Sequence, residues 1–324
     1  VNNANIGIYN QSPGQFSGEL VQKLTSSEFF RVAVNINSEA EMLEAFRTNK
    51  VKMIVVIPPK FEQNFNEGGT KIQLIADGSD PNLATILANS GEAIIMGWMK
   101  GKVGQNLQIE TIDPQVRWHY NPTLKSAEMF VPGVVTIILM LVSAMLTSIS
   151  ITREKELGTI EILFVSPLKP AVIIIGKVLP FAILSIINAI FILIMAWVVF
   201  AVPVNGSVVL LLLEMLLFIF TALGLGVLIS TIADTQQTAL MLSLFALMLP
   251  TILLSGFIFP IANMPLPLRT ISNIIPAKWF LIIIKNIMLK GVGFGYVWKE
   301  TLVLLGMTLF FIGVSVKKFK IRLQ

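Results

Sequence analysis

Between Val131 and Val316 the chain carries five apolar runs, Val131–Ile151, Ala171–Val202, Val208–Ile232, Thr238–Phe259 and Tyr296–Val316, separated by links that hold most of the charge of this region. About 20 apolar residues are needed to cross the roughly 30 Å hydrocarbon core of a bilayer, and each run meets that length. No packed soluble domain has room to bury five such helices on every side. The chain therefore folds around membrane-spanning helices, with the longest run able to tilt or extend past the bilayer.

Residues 1–130 read differently. The whole chain is 54% hydrophobic and only 13% charged, against roughly 25% charged in soluble domains. That deficit lies in the apolar runs, and the first 130 residues have ordinary soluble character. Short strands are predicted at Ile6–Tyr9, Phe30–Val34, Lys52–Ile57, Lys71–Ala76 and Gln108–Trp118. Helices are predicted between them at Gly14–Leu24, Glu39–Arg47, Lys60–Phe65 and from Pro81 to about Val103, with Ser79 or Asp80 as the cap of the last. Such alternation favours a parallel-rich α/β layer. The expected fold class is a multi-pass α-helical membrane protein, with five spans visible, joined to an α/β domain over residues 1–127, with 128–324 forming the transmembrane domain.

The chain excludes several chemistries. It has no cysteine and one histidine, His119, so thiolate sites, disulfides and a His cluster for metal are absent. No G-x-x-x-x-G-K-[ST] loop occurs. Gly101-Lys102 and Gly176-Lys177 lack both the upstream glycine and the following hydroxyl residue, so P-loop ATP hydrolysis is not available to this chain. The net charge of +5 does not indicate nucleic-acid binding. Much of the basic excess is Lys317, Lys318, Lys320 and Arg322, which flank a span.

The basic residues of short loops set orientation. Arg153, Lys155 and Lys169 follow the first run, Lys177 lies just beyond, and four more cations end the chain. Placing 152–170, 231–237 and 317–324 in the cytoplasm makes residues 1–130 extracytoplasmic and the C-terminus cytoplasmic. Arg269, Lys278, Lys285 and Lys290 then fall outside, against the rule. The first residues, Val1–Leu20, have no signal-peptide pattern. An upstream sixth span, absent from this sequence, is therefore expected to deliver the outside domain.

Local patterns refine this. Leu157, Ile160 and Phe164 recur at helical spacing opposite Glu154, Glu156 and Glu161, which predicts a short amphipathic helix over about 153–165 along the membrane surface, ended by Pro167 and Pro170. A solvated connector is the plainer alternative, but it would need neither that length nor those apolar residues. Pro250, Pro260, Pro265, Pro267 and Pro276 cut the 250–290 stretch into pieces too short to span. It forms either a re-entrant helical hairpin at about 260–290 or a loop on the surface, with Trp279 and Phe280 suited to an interface. Ala222, Gly226 and Ser230 line one helix face, with Gly224 beside them, and are expected to pack within the chain rather than form a dimer seam. Glu214 is expected to snorkel to the outer interface, with a pathway or proton role as the alternative. Asn188 is expected to hydrogen-bond between helices. Asp234 is expected to cap a cytoplasmic turn, and His119 to sit in an aromatic belt with Trp118 and Tyr120.

The run Arg153-Glu-Lys-Glu-Leu-Gly-Thr-Ile-Glu-Ile-Leu-Phe-Val-Ser-Pro-Leu-Lys-Pro170, then Ile175-Gly-Lys177, resembles the signature of ABC-2-type transporter permeases. Leu254-Ser-Gly-Phe-Ile-Phe-Pro260, Asn263-Met-Pro265, Ile275-Pro-Ala-Lys-Trp-Phe280, Asp77-Gly-Ser79 and Tyr120-Asn-Pro122 are similar to the same family. Jointly they cover nearly the whole chain, and they resemble the subgroup with a large extracytoplasmic domain between the first two spans. The resemblance implies the permease subunit of an ATP-driven exporter that moves a drug, lipid or peptide. ATP and Mg would be bound by a separate cytoplasmic ABC ATPase, with no cofactor in this chain. The other implied partners are a second permease copy or paralogue and a periplasmic adaptor. It also implies that Arg153, Glu154, Lys155, Glu156, Leu157, Gly158, Thr159 and Glu161 form a coupling helix seated in the ATPase. Gly256, Phe257, Pro260, Pro265, Pro276 and Trp279 would build an outer gate, with Glu214 and Asn188 as polar groups of the pathway. A non-transporting receptor or secretion scaffold of the same architecture is the competing reading, and a membrane enzyme is disfavoured for want of any catalytic constellation.

Overall fold

The computed structural model describes residues 3–67, 70–103, 113–159, 170–261 and 264–321. The chain divides into two compact units, Val1–Met129 and Phe130–Gln324.

The first unit is an α/β domain. Its strands are β1 (Ala4–Asn10), β2 (Phe30–Asn35), β3 (Met53–Ile57), β4 (Lys71–Asp77) and β5 (Asp113–His119), and its helices are α1 (Gln15–Thr25), α2 (Glu39–Arg47), α3 (Phe61–Glu67) and α4 (Pro81–Val103). They form one sheet in the order β2-β1-β3-β4-β5. The β1/β2, β1/β3 and β4/β5 pairs are parallel, as the alternation predicts, but β3 and β4 run antiparallel. The chain leaves β3 through Pro58 and Pro59 and the seven-residue α3, and enters β4 from the same end of the sheet. The 23-residue α4 carries the chain back along the sheet, and β5 returns parallel. Asp80 caps α4 by accepting from the Leu83 N–H at 3.1 Å, and Pro81 occupies the first helical position, where no N–H is needed. The part of the predicted last strand before Asp113 lies outside the described residues.

The second unit is helical. It contains α5 (Ser126–Glu156, begun at the end of the first unit), α6 (Pro170–Val198), α7 (Val208–Ile232), α8 (Gln236–Leu254), α9 (Leu266–Ser272), α10 (Pro276–Met288) and α11 (Phe294–Ile321). Five of these, α5, α6, α7, α8 and α11, are long and apolar enough to cross a membrane. α5 and α7 are the most enclosed, while α6, α8 and α11 expose most of their apolar surface. Within α8 a π-helical turn at Leu244–Met248 precedes Pro250. Proline has no N–H for the carbonyl one turn back, and the wider turn makes room for its ring.

Small residues set how closely the helices approach. A Cβ on Gly226 of α7 would lie 2.4 Å from the Ala144 carbonyl oxygen of α5, and one on Gly224 would meet Ile312 of α11 at 3.3 Å. The small-residue face therefore packs within the chain. Hydroxyl groups tie the helices: Ser143 to Ser185 at 2.8 Å, Ser148 to Ser243 at 2.9 Å, Thr221 to Thr308 at 2.6 Å, and Ser315 to the Gly224 carbonyl at 3.0 Å. Such bonds contribute on average about 0.6 kcal/mol each in membrane helices. Ser143–Ser185 links α5 to α6, whereas the sequence offers Asn188 of α6 for an interhelical bond. Asn188 is half-buried, and its side chain makes no hydrogen bond to another described residue.

Candidate coupling surface and bent helical pair

Contacts along the helices fix their directions. Glu214–Thr301, Thr221–Thr308 and Gly224–Ser315 run in step, so α7 and α11 are parallel. Gly226 against Ala144 and Lys155 against Ala233 set α5 parallel to α7. α8 runs the other way, because Ser243 meets Ser148 while Thr251 meets Met140. One end of the unit therefore gathers the C-termini of α5, α7 and α11 with the N-termini of α6 and α8. Ile151, Val178, Val227 and Val316 form an apolar cluster near it.

A polar network closes that end. The Lys155 ammonium donates to the Ala233 carbonyl at 2.7 Å and pairs with Asp234. Glu156 accepts from the Gln236 backbone N–H at 2.9 Å and from its side-chain amide at 3.2 Å. Glu154 pairs with Lys177 of α6. So the end of α5 is bonded to α6 and to the α7–α8 link. Asp234 is a salt-bridge partner here, and the cap of α8 is Thr235, which accepts from the Thr238 N–H at 3.2 Å.

Arg153–Glu156 do not begin a separate surface helix. They complete the last turn of α5, because nothing in the sequence breaks the helix before Gly158. Gly158 adopts φ +70°, its N–H bonds to the Lys155 carbonyl at 3.2 Å, and the helix stops there. This left-handed position after a helix end favours glycine. Thr159 then donates to the Glu154 carbonyl at 3.1 Å. Leu157 stands 64% exposed on this turn. Glu161 and the remainder of the predicted 153–165 helix lie outside the described residues.

At the opposite end α8 finishes and α11 begins. The α9–α10 pair between them starts and ends on the same side, bent by 79°, and does not complete a crossing. The stretch is helical and α10 is buried along most of its length, so it is not a loop lying on the surface. Pro265 immediately precedes α9 and Pro276 opens α10. Asn273 holds the elbow. Its carbonyl accepts from Trp279 Nε1 at 2.9 Å, and its side chain accepts from the Lys278 ammonium, which also reaches Ser272 at 3.2 Å and lies 5.0 Å over the Trp279 ring. Gly256 takes φ +86° to turn the chain out of α8. Phe257 is then buried directly on Gly133 of α5, edge-on to Phe130 at 5.7 Å. Pro260 follows in the half-buried link, and Asn263 lies outside the described residues.

Glu214 does not snorkel. It is buried, and its Oε1 accepts from the Thr301 hydroxyl at 2.7 Å, while its Oε2 has no hydrogen-bond partner among the described residues. Its helix face is interior: Phe218, one turn on, stacks on Phe280 at 4.2 Å. His119 lies against Tyr120, with ring centroids 4.2 Å apart. It ends β5 and stacks on Phe46 within the α/β unit at 5.3 Å. No group of three or more potential metal ligands occurs among the described residues.

Five membrane-length helices, a bent helical pair that turns back at one end, and a separate α/β unit define a polytopic membrane protein. Residues 1–317 match the family described as ABC-2 family transporter protein. The chain is 31% identical over 323 residues to the probable multidrug ABC transporter permease YbhS of Escherichia coli, covering 98% of this chain and 85% of that protein. It is 33% identical over 309 residues to the probable multidrug ABC transporter permease YbhR of the same organism, covering 95% and 84%. It is 27% identical over 330 residues to ABC transporter G family member 20 of Dictyostelium discoideum, covering 97% of this chain and 44% of that protein. The chain belongs to the ABC-2 family of transporters. It is a permease subunit, and permeases of this family work with a partner ATPase.

Proposed function

We propose that this chain is the membrane half of an ATP-driven exporter in the bacterial inner membrane, with the Arg153–Thr159 turn as the contact for the ATPase. The observation that carries this is the grouping of charge at one end of the helical unit. Arg153, Lys155, Lys177, Lys317 and Lys318 all lie there, with the α7–α8 link. Short-loop cations mark the cytoplasmic side, so this end faces the cytoplasm and residues 1–129 lie outside. Lys278 and Lys290, which count against that orientation in the sequence, are buried at the other end, and Lys278 is held by Ser272 and Asn273.

Force applied at the turn would enter α5 and pass at once to α6 through Glu154–Lys177 and to α7 and α8 through Lys155 and Glu156. A rigid shift of these helices relative to the α9–α10 segment is the kind of motion that exchanges inward and outward states. The YbhS and YbhR relatives are named probable multidrug permeases, which supports a drug as the cargo class. A second permease subunit would complete the pathway, with a periplasmic adaptor as a further partner. Leu157→Asp tests the turn. Loss of ATPase co-purification with unchanged thermal unfolding of the permease is the expected outcome, and retention of the ATPase would overturn the assignment.

A further inference from the structure

The two faces of the sheet in the α/β unit are covered unequally. Side chains alternate between faces along each strand. Ile6, Met53, Val55, Ile72 and Leu74 point to one face, where α1, α3 and α4 bury them through Leu20, Phe61, Phe65 and Leu87. The other face carries Tyr9, Val34, Ile54, Val56 and Ile75, and of the described helices α2 packs on it, through Ala45 and Phe46. Five strands about 4.8 Å apart span roughly 19 Å, and one helix is about 10 Å wide. α2 therefore leaves part of this face open, and a cleft of about 510 Å³ remains beside it. Small-molecule sites occupy about 300–1,000 Å³.

The cleft has two chemically distinct sides. Met42, Leu43 and Phe46 of α2 form an apolar wall that continues onto Val56 and Ile75, with Leu43 38% exposed. Lys71, Gln73, Gln115 and Arg117 form the other side. The β4/β5 register pairs Gln73 with Gln115 and Ile75 with Arg117, so the polar groups stand side by side where the apolar floor ends. Lys71 and Arg117 form no ion pair with a described residue. Cations on an edge strand are a common guard against edge pairing, which would explain Arg117 on β5. It explains neither Lys71 on an interior strand nor the open apolar wall facing it. Glu39 is the one acidic residue of the lining and sits at the start of α2.

We propose that this cleft binds a small amphipathic carboxylate. Its hydrocarbon part lies against Met42, Leu43 and Phe46. Its head is held by the Arg117 guanidinium, whose planar fork matches a carboxylate, with Lys71 and the two amides completing the site. The site lies wholly within the α/β unit and does not depend on the transport reading.

The absence of cysteine allows a single label. In the full-length protein in nanodiscs, Gln11→Cys at the rim of the cleft carries an environment-sensitive fluorophore, and octanoate is the probe. The expected result is a saturable change with octanoate and none with octyltrimethylammonium. Arg117→Gln should weaken octanoate by about tenfold or more, the loss of charge-assisted hydrogen bonds, and Leu43→Glu should abolish the response. Both residues are exposed, so neither change threatens the fold, and circular dichroism checks this. A non-saturating response, equal responses to the two probes, or unchanged octanoate binding in Arg117→Gln would overturn the proposal.

Discussion

Gly226→Ala is a direct test of how α5 and α7 are joined. The new Cβ would stand 2.4 Å from the Ala144 carbonyl oxygen and 3.0 Å from its Cα. Both are backbone atoms of the facing helix, so no rotamer change can make room. Relief requires the helices to separate by somewhat under 1 Å, and a gap of about 0.5–1 Å forfeits a quarter to a half of each contact across it. Overpacking of this kind costs about 1–3 kcal/mol, and the better helix propensity of alanine returns at most about 1 kcal/mol. For a unit of this size, 1 kcal/mol moves Tm by about 2–4 °C. Gly306→Ala on α11 is the control, because its Cβ would meet nothing within 4 Å. Thermal unfolding of the purified protein should show Gly226→Ala melting several degrees below the parent and Gly306→Ala at or slightly above it. If Gly226→Ala melts at or above the parent, the close approach of α5 and α7 is wrong.

Three further outcomes follow from buried contacts. Thr301→Val removes the donor to Glu214 and leaves the carboxyl without a partner among the described residues. It should cost about 1–3 kcal/mol in unfolding measurements, and Thr301→Ser should restore most of the loss. Asn273→Ala removes the side-chain acceptor of Lys278 at the α9–α10 elbow and should lower stability by a similar amount, about 1–3 kcal/mol, read as Tm. Gly133→Val places branched carbons where the Phe257 ring lies, since even a Cβ there would be 1.9 Å from the ring. It should free the link after α8, seen as new protease sensitivity between Gly256 and Pro265.

The spans and the α/β alternation were legible in the sequence because both rest on long-range hydrophobic pattern, which a single chain displays. Val208–Ile232 matches the predicted run, and Pro265 and Pro276 mark the starts of α9 and α10 as proline chemistry requires. What the pattern could not show depends on partners distant in sequence. Glu214 reads as an expensive charge until Thr301, 87 residues later, is placed beside it. Asn188 attracts attention as the larger amide, yet the hydroxyls of Ser143 and Ser185 make the bond between α5 and α6. The antiparallel β3/β4 pair is not visible in the sequence, because strand–helix alternation looks the same whether the second strand returns parallel or antiparallel. The Arg153–Glu156 turn reads as a surface helix because its charge pattern is amphipathic. Only the pairing of Lys155 and Glu156 with the α7–α8 link shows that those charges hold helix ends together.

Site-directed cross-linking addresses the proposed coupling turn most directly. In the cysteine-free chain, Thr159→Cys and Gly293→Cys mark opposite ends of the helical unit, and each can carry a short photo-reactive group. In the purified complex with its ATPase, position 159 should cross-link to the ATPase and position 293 should not. A complex that retains its ATPase but cross-links from 293, or fails to cross-link from 159, would contradict the coupling turn and the orientation built on it.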